Sequence, residues 1–170
     1  MKRLVFYTTA IGIMVFTACR NRSAENKVAG APLSDSAKLA RATLDSTKKA
    51  AYRNNDLSII FLEASSEIMQ AQMAIEKADY EGKQAGPADS LIVNSSKGDT
   101  LYQTLMKVYD VGALYADNET DKMRFENMKL PAGSKPWLGK KFKGLTTTDA
   151  VVTLGKFQND CNLISKIARH

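Results

Sequence analysis

Histidine occurs once in this 170-residue chain, as His170, and cysteine only twice, as Cys19 and Cys161. A single histidine removes the usual general base, His-dependent triads and most zinc sites. No C-x-x-C, H-E-x-x-H, G-x-S-x-G or P-loop pattern is present. The stretch "GLTTTDAV" places glycine and threonines before a helix but lacks the P-loop lysine and spacing. No run of five or more basic residues occurs, so a nucleic-acid-binding arm is not expected. The four prolines and ten glycines are few enough to leave long helices uninterrupted. The longest uncharged stretch near the start, Leu4 to Ala18, falls short of the roughly 20 residues of a permanent membrane span.

What remains reads as one modest domain. Apolar residues make up 44% and charged residues 25%, both ordinary for a globular protein. Ala, Lys, Leu, Met and Gln recur, which favours helix over sheet. A formal charge of +6 is compatible with surface or anion contact without specifying it.

Residues 1–18, MKRLVFYTTAIGIMVFTA, have the layout of an export signal: Lys2 and Arg3, then an apolar segment, then Thr17 and Ala18 before Cys19. This resembles a bacterial lipobox, in which cleavage leaves a lipidated cysteine first. Phe16 stands where that pattern usually has Leu. The expectation is a lipoprotein whose Cys19 attaches it to a membrane and leaves Cys161 without a disulfide partner. The alternative is a short anchor or an ordinary signal in which Cys19 is incidental. Arg20 does not look like an inner-membrane retention signal, so a periplasm-facing position on the outer membrane is favoured. Residues 19–33, polar with Gly30 and Pro32, are expected to form a flexible tether.

Residues 34–170 carry helical periodicity. After Ser34-Asp35, Ala37, Ala40, Leu44 and Ala51 form a thin stripe, with a break or kink expected at 53–56. Leu57, Phe61, Ala64, Ile68, Ala71, Ile75 and Ala78 alternate by four and three, widened by Ile60, Met69 and Met73. Leu91-Ile92-Val93 reads as a short strand or packed loop. Leu101, Leu105, Val108, Val111 and Tyr115 return to helical spacing, and Gly112 among them suggests a close helix–helix approach. Residues 117–145 hold Pro131, Gly133, Pro136, Gly139 and Gly144, which exclude a long helix. A connection of that length should be packed by its own large residues or be functional. Thr146 and Asp149 form a capping-box variant, followed by the seam Ala150, Leu154, Phe157, Cys161, Ile164 and Ala168. The fold class expected is all-α: an antiparallel three- to four-helix bundle with one long irregular loop.

Three groups of residues have chemical potential. Glu63 with Glu67, and Glu76 with Asp79, share helix faces, but surrounding lysines and serines make solvated surfaces the simpler reading. Cys161 on an apolar seam reads as a buried thiol rather than a nucleophile. In "KPWLGKKFK", Lys135, Lys140, Lys141 and Lys143 interleave with Trp137 and Phe142. That mixture can bind peptidoglycan or another anionic polymer, head groups or an acidic partner; alternatively the aromatics plug the bundle and the lysines are solvated. The reading is of a non-enzyme, with no cofactor or metal.

The segment Phe142 to Cys161, FKGLTTTDAVVTLGKFQNDC, carries T-L-x-K-hydrophobic-Q-N-D from Thr153 to Asp160, with Trp137 upstream. It resembles the end of the N-terminal periplasmic helical domain of the GldM family of gliding-motility and type IX secretion proteins of Bacteroidetes. The likeness is specific over about 25 residues and architectural elsewhere. Thr146 stands where that family commonly has proline, and its Asn-Ala-Glu continuation is absent. The family's opening transmembrane motor helix is replaced here by the Cys19 segment, so no motor role follows. The resemblance implies a bundle fold and an envelope protein as partner, accessory to gliding or secretion. Gln158, Asn159 and Asp160 form a candidate partner-binding patch, with Asn159 and Asp160 expected to point outward. Side-chain bonding to neighbouring loops is the favoured alternative.

Overall fold

The computed structural model describes residues 34–52, 54–82 and 86–169, and among these the regular structure is all helical, with no strand. The segments read as signal and tether, and Cys19 with them, lie outside the described residues. The described helices are α1 (Asp35–Ala51), α2 (Asn54–Tyr80), α3 (Ser96–Tyr115), α4 (Glu119–Met128), α5 (Ser134–Phe142) and α6 (Thr147–Ile167). A π-helical turn, Asp89–Val93, precedes α3.

The four-three seams build the core. Every seam position expected in α2 and α6 is buried, as are Leu101, Leu105, Val108 and Val111 of α3. Gln158 of α6 bonds Ser65 of α2 at 3.0 Å while Thr147 bonds Asp79 at 3.2 Å, so the two helices run antiparallel. Glu63 lies opposite Lys107, and Ala74 lines the same small cavity as Lys97, so α3 is antiparallel to α2 as well. This is the all-α bundle that the periodicity predicts, centred on α2, α3 and α6.

Helix starts follow from capping. The Ser95 hydroxyl accepts from the Gly98 amide, the Asn118 side chain from Asp121, and Thr146 from Asp149. The Thr146 hydroxyl also donates to the Asp149 carboxylate at 2.7 Å, a side-chain contact between the two residues of the predicted capping-box variant.

Four expectations change. Residues 117–145 are not one irregular crossing: α4 and α5 occupy most of it. Their Phe125, Trp137, Leu138 and Phe142 are fully buried, so the segment is packed by its own large residues. Leu91-Ile92-Val93 is neither strand nor loop but the π-helical turn, with Ile92 in the core and Ser95 donating to the Leu91 carbonyl. The α1 stripe is not core, because no residue of α1 is buried. Met69 and Met73 do not widen the inner seam; they are 55% and 60% exposed on the opposite side of α2.

Candidate functional site

Four places in the fold bear on function. The first is α5, where Gly133 (φ 97°) starts the helix and lets Lys135 to Lys143 run along its surface. Trp137 is fully buried, stacks on Phe157 with ring centroids 5.4 Å apart, and donates from Nε1 to the Met128 carbonyl at 2.8 Å. Phe142 meets Phe157 edge-on. The aromatics of "KPWLGKKFK" therefore face inward, while Pro136 and most of its lysines face solvent. Lys135, Lys140 and Lys143 are exposed. Lys141 is half-buried over the Trp137 ring, and burial, reinforced by neighbouring Lys140, lowers its pKa.

The second is the Q-N-D run on α6. Only Asn159 points outward. Gln158 ties α6 to α2 through Ser65. Asp160 turns inward, contrary to expectation: it accepts from the Tyr109 hydroxyl of α3 at 3.0 Å and from Arg124 of α4 at 2.8 Å. One carboxylate thus joins three helices, and two members of the patch serve contacts within the bundle. Burial, with the Asp160 charge next, raises the Tyr109 pKa well above the usual phenol range. The same two causes push the adjacent Cys161 thiol up to about 12, so at neutral pH it is protonated, buried and unreactive.

The third is a cleft of about 350 Å³ between α1, α3 and α4. Lys129 bridges Asp110 and Glu126 at 2.7 Å each, and Lys122 meets Asp45 at 3.2 Å. Burial alone would lower the Lys129 pKa; its two carboxylate bonds outweigh that and raise it. Charges matched this closely leave little field to attract an ionic ligand. Glu63, Glu76 and Asp79 are exposed and Glu67 half-exposed, as expected of solvated helix faces. Among the described residues no group of three or more His, Cys, Asp or Glu comes together as a metal site. No described helix is long and apolar enough to cross a membrane.

The fourth is the outer face of α2, a second apolar series that the stronger inner seam overlaps in the sequence. Ile59, Leu62, Met69, Met73 and Tyr80 are 52%, 71%, 55%, 60% and 94% exposed. With Ser66 and Glu76 they recur at three-four spacing, so they line one stripe nearly opposite the buried seam. Scattered exposed apolar residues need no explanation; here five large ones share one helix face over more than five turns, interrupted by Ser66 and Glu76. The signal was present in sequence: a second apolar series, offset by two residues from the first.

No family model matches the chain, and neither a curated protein nor a solved structure does.

Proposed function

We propose that this chain is a lipid-anchored protein of the bacterial cell envelope that works through protein–protein contact rather than catalysis. In this reading Cys19 carries the lipid, and the bundle faces the periplasm from the outer membrane. The observation that carries the contact role is the outward stripe Ile59, Leu62, Met69, Met73 and Tyr80, an apolar surface of the kind that soluble proteins reserve for partners. The T-L-x-K-F-Q-N-D likeness supports the narrower reading, an accessory part in gliding motility or type IX secretion.

Two measurements test this. Metabolic lipid labelling should mark the wild type and not Cys19→Ser, which should leave the membrane fraction; equal behaviour of the two removes the anchor. Cross-linking in cells followed by identification of partners should recover a motility or secretion component. Recovery of none sinks the narrower version.

A second reading has its own observation. Lys135 and Lys140 on one short helix and Lys143 just after it are exposed, and none shows a carboxylate pair among the described residues. That edge suits peptidoglycan or another anionic polymer. Co-sedimentation with the polymer that weakens as salt rises, and is lost in a triple Lys→Gln variant, supports it; salt-independent or absent sedimentation rejects it.

A further inference from the structure

We infer that the outer stripe of α2 is the seam of an antiparallel homodimer. The inference rests on the contact reading above and names the partner as a second copy of this chain.

The register follows from heptad arithmetic. With Ile59, Ser66, Met73 and Tyr80 at a positions, Leu62, Met69 and Glu76 fall at d, and Glu63, Gln70 and Lys77 at e. Antiparallel pairing about a two-fold between residues 67 and 68 sets Leu62 against Met73 of the second copy and Ser66 against Met69 of the second copy. The e positions then meet across the seam. Glu63 faces Lys77 of the second copy, Lys77 faces its Glu63, and the two Gln70 side chains meet at the axis. Both ion pairs arise from one symmetry operation, as an isologous interface requires. The partners these two side chains already have are loose: Glu63 to Lys107 at 3.9 Å and Lys77 to Glu81 at 3.8 Å.

The alternatives fit less well. Parallel pairing sets Glu76 against Glu76 inside the seam, a like-charge contact in a partly desolvated layer. Antiparallel pairing moves Glu76 to the end, opposite Ile59 of the second copy, where it can reach solvent. An anionic membrane surface is disfavoured because α2 carries Asp56, Glu63, Glu67, Glu76 and Asp79 against Lys77 alone. The two methionines supply adaptable packing for a seam with a serine in its central layer. Five turns of pairing approach the lower limit of specific interfaces, roughly 1,200 Å² in total, so a modest affinity is expected.

The test is sedimentation equilibrium of the full chain in a density-matched neutral detergent. The wild type should dimerise within the micromolar range. Leu62→Asp and Met69→Asp should each raise the dissociation constant at least about tenfold while leaving helicity and melting unchanged, since both positions are exposed in the monomer. Glu63→Lys and Lys77→Glu should each raise it about threefold to tenfold, and the double swap should return it to within about twofold of wild type. A chain that stays monomeric at about 100 μM overturns the inference, as does a dimer indifferent to Leu62→Asp. Single swaps without rescue overturn the antiparallel register. A monomer whose Leu62→Asp variant loses a cross-link to a different envelope protein refutes the homodimer and leaves the contact reading standing; loss of neither refutes both.

Discussion

Two glycines in α3 look alike in sequence and differ in what surrounds them. A methyl group on Gly98 would fall within the van der Waals envelope of the Ile92 carbonyl oxygen, which is backbone and cannot swing away. A methyl on Gly112 would come within 2.8 Å of Ile164 Cδ1 and 3.0 Å of Ile164 Cγ1 and Phe125 Cδ2, side-chain rather than backbone atoms that can give by a few tenths of an ångström. Gly98→Ala should therefore cost about 3 kcal/mol or more. Gly112→Ala should cost about 1 kcal/mol, an overpacking penalty of about 1–3 kcal/mol offset by the helix preference of Ala. Chemical denaturation checks the order, and equal losses would refute the distinction. The close approach at Gly112 was readable from its place on an apolar seam; that at Gly98 was not, because the π-helical turn that crowds it leaves no periodicity. The node beside Gly112 makes a second prediction. The fold holds two acids neutral, the Cys161 thiol, pushed up to about 12, and the Tyr109 phenol, raised further, each chiefly by burial and then by Asp160. Their contribution is complete below the ordinary values, about 8.5 and about 10, and is lost as pH climbs through and beyond them. Tm should hold steady from neutral pH to about 8.5 and then fall. Cys161→Ala should remove the earlier part of that decline and Tyr109→Phe the later part, each measured relative to its own neutral-pH value. An unchanged alkaline profile in both variants would count against the buried, neutral placement.

At the level of elements, α1 is attached differently from the rest. Its links to the bundle include the Asp45–Lys122 pair at 3.2 Å, Lys49 over the Tyr115 ring at 5.0 Å, the Tyr115 hydroxyl donating to the Tyr52 carbonyl at 3.3 Å, and the packing of Tyr52 on the core. Leu44, centred on its apolar stripe, is 54% exposed. A 17-residue helix held by polar contacts has little beyond intrinsic propensity to keep it formed. Amide hydrogen exchange in α1 should run at least about a hundredfold faster than in α6. Lys122→Ala should speed it by a further factor of about two to five, the worth of one partly exposed ion pair. Protection in α1 equal to that in α6 would show that the helix is held by more than these contacts. Here the sequence reading reached its physical limit: three-four spacing reveals that a helix has an apolar side, not whether another element covers it. That is why the Ala37–Ala51 stripe could be read as an apolar side but not as an uncovered one. It is also why Met69 and Met73 were joined to the inner seam of α2. The N-cap at Thr146 and the seam of α6 are readable in the sequence, because both are local patterns. Between and after α4 and α5, Pro131, Gly133 and Gly144 stand at breaks, whereas Pro136 and Gly139 lie inside α5. The helices between them, 10 and 9 residues long, are too short for periodicity to register.

For the molecule as a whole, the two proposals constrain each other geometrically. An antiparallel pair has its two-fold axis perpendicular to the helices and to the line joining them. If both copies hold a lipid at Cys19, they must reach one membrane, which aligns that axis with the membrane normal and lays α2 flat above the surface. The start of α2 in each copy then sits at an opposite end of a helix about 40 Å long, at equal height. The 15 residues from 19 to 33 can span at most roughly 50 Å, enough to serve both anchors. Confinement to a surface raises the effective concentration of one copy near another, so a seam of micromolar strength in solution becomes well occupied on the membrane. This separates the anchor from the seam experimentally. Cys19→Ser should leave the dissociation constant in detergent unchanged, because Cys19 lies outside the seam. In cells the same substitution should lower the yield of a dimer trapped by Ser66→Cys with Met69→Cys, since released copies lose their shared surface. A trapped yield that is independent of Cys19 would mean that the seam is strong enough to need no membrane. A yield of zero in both would leave α2 without its second copy.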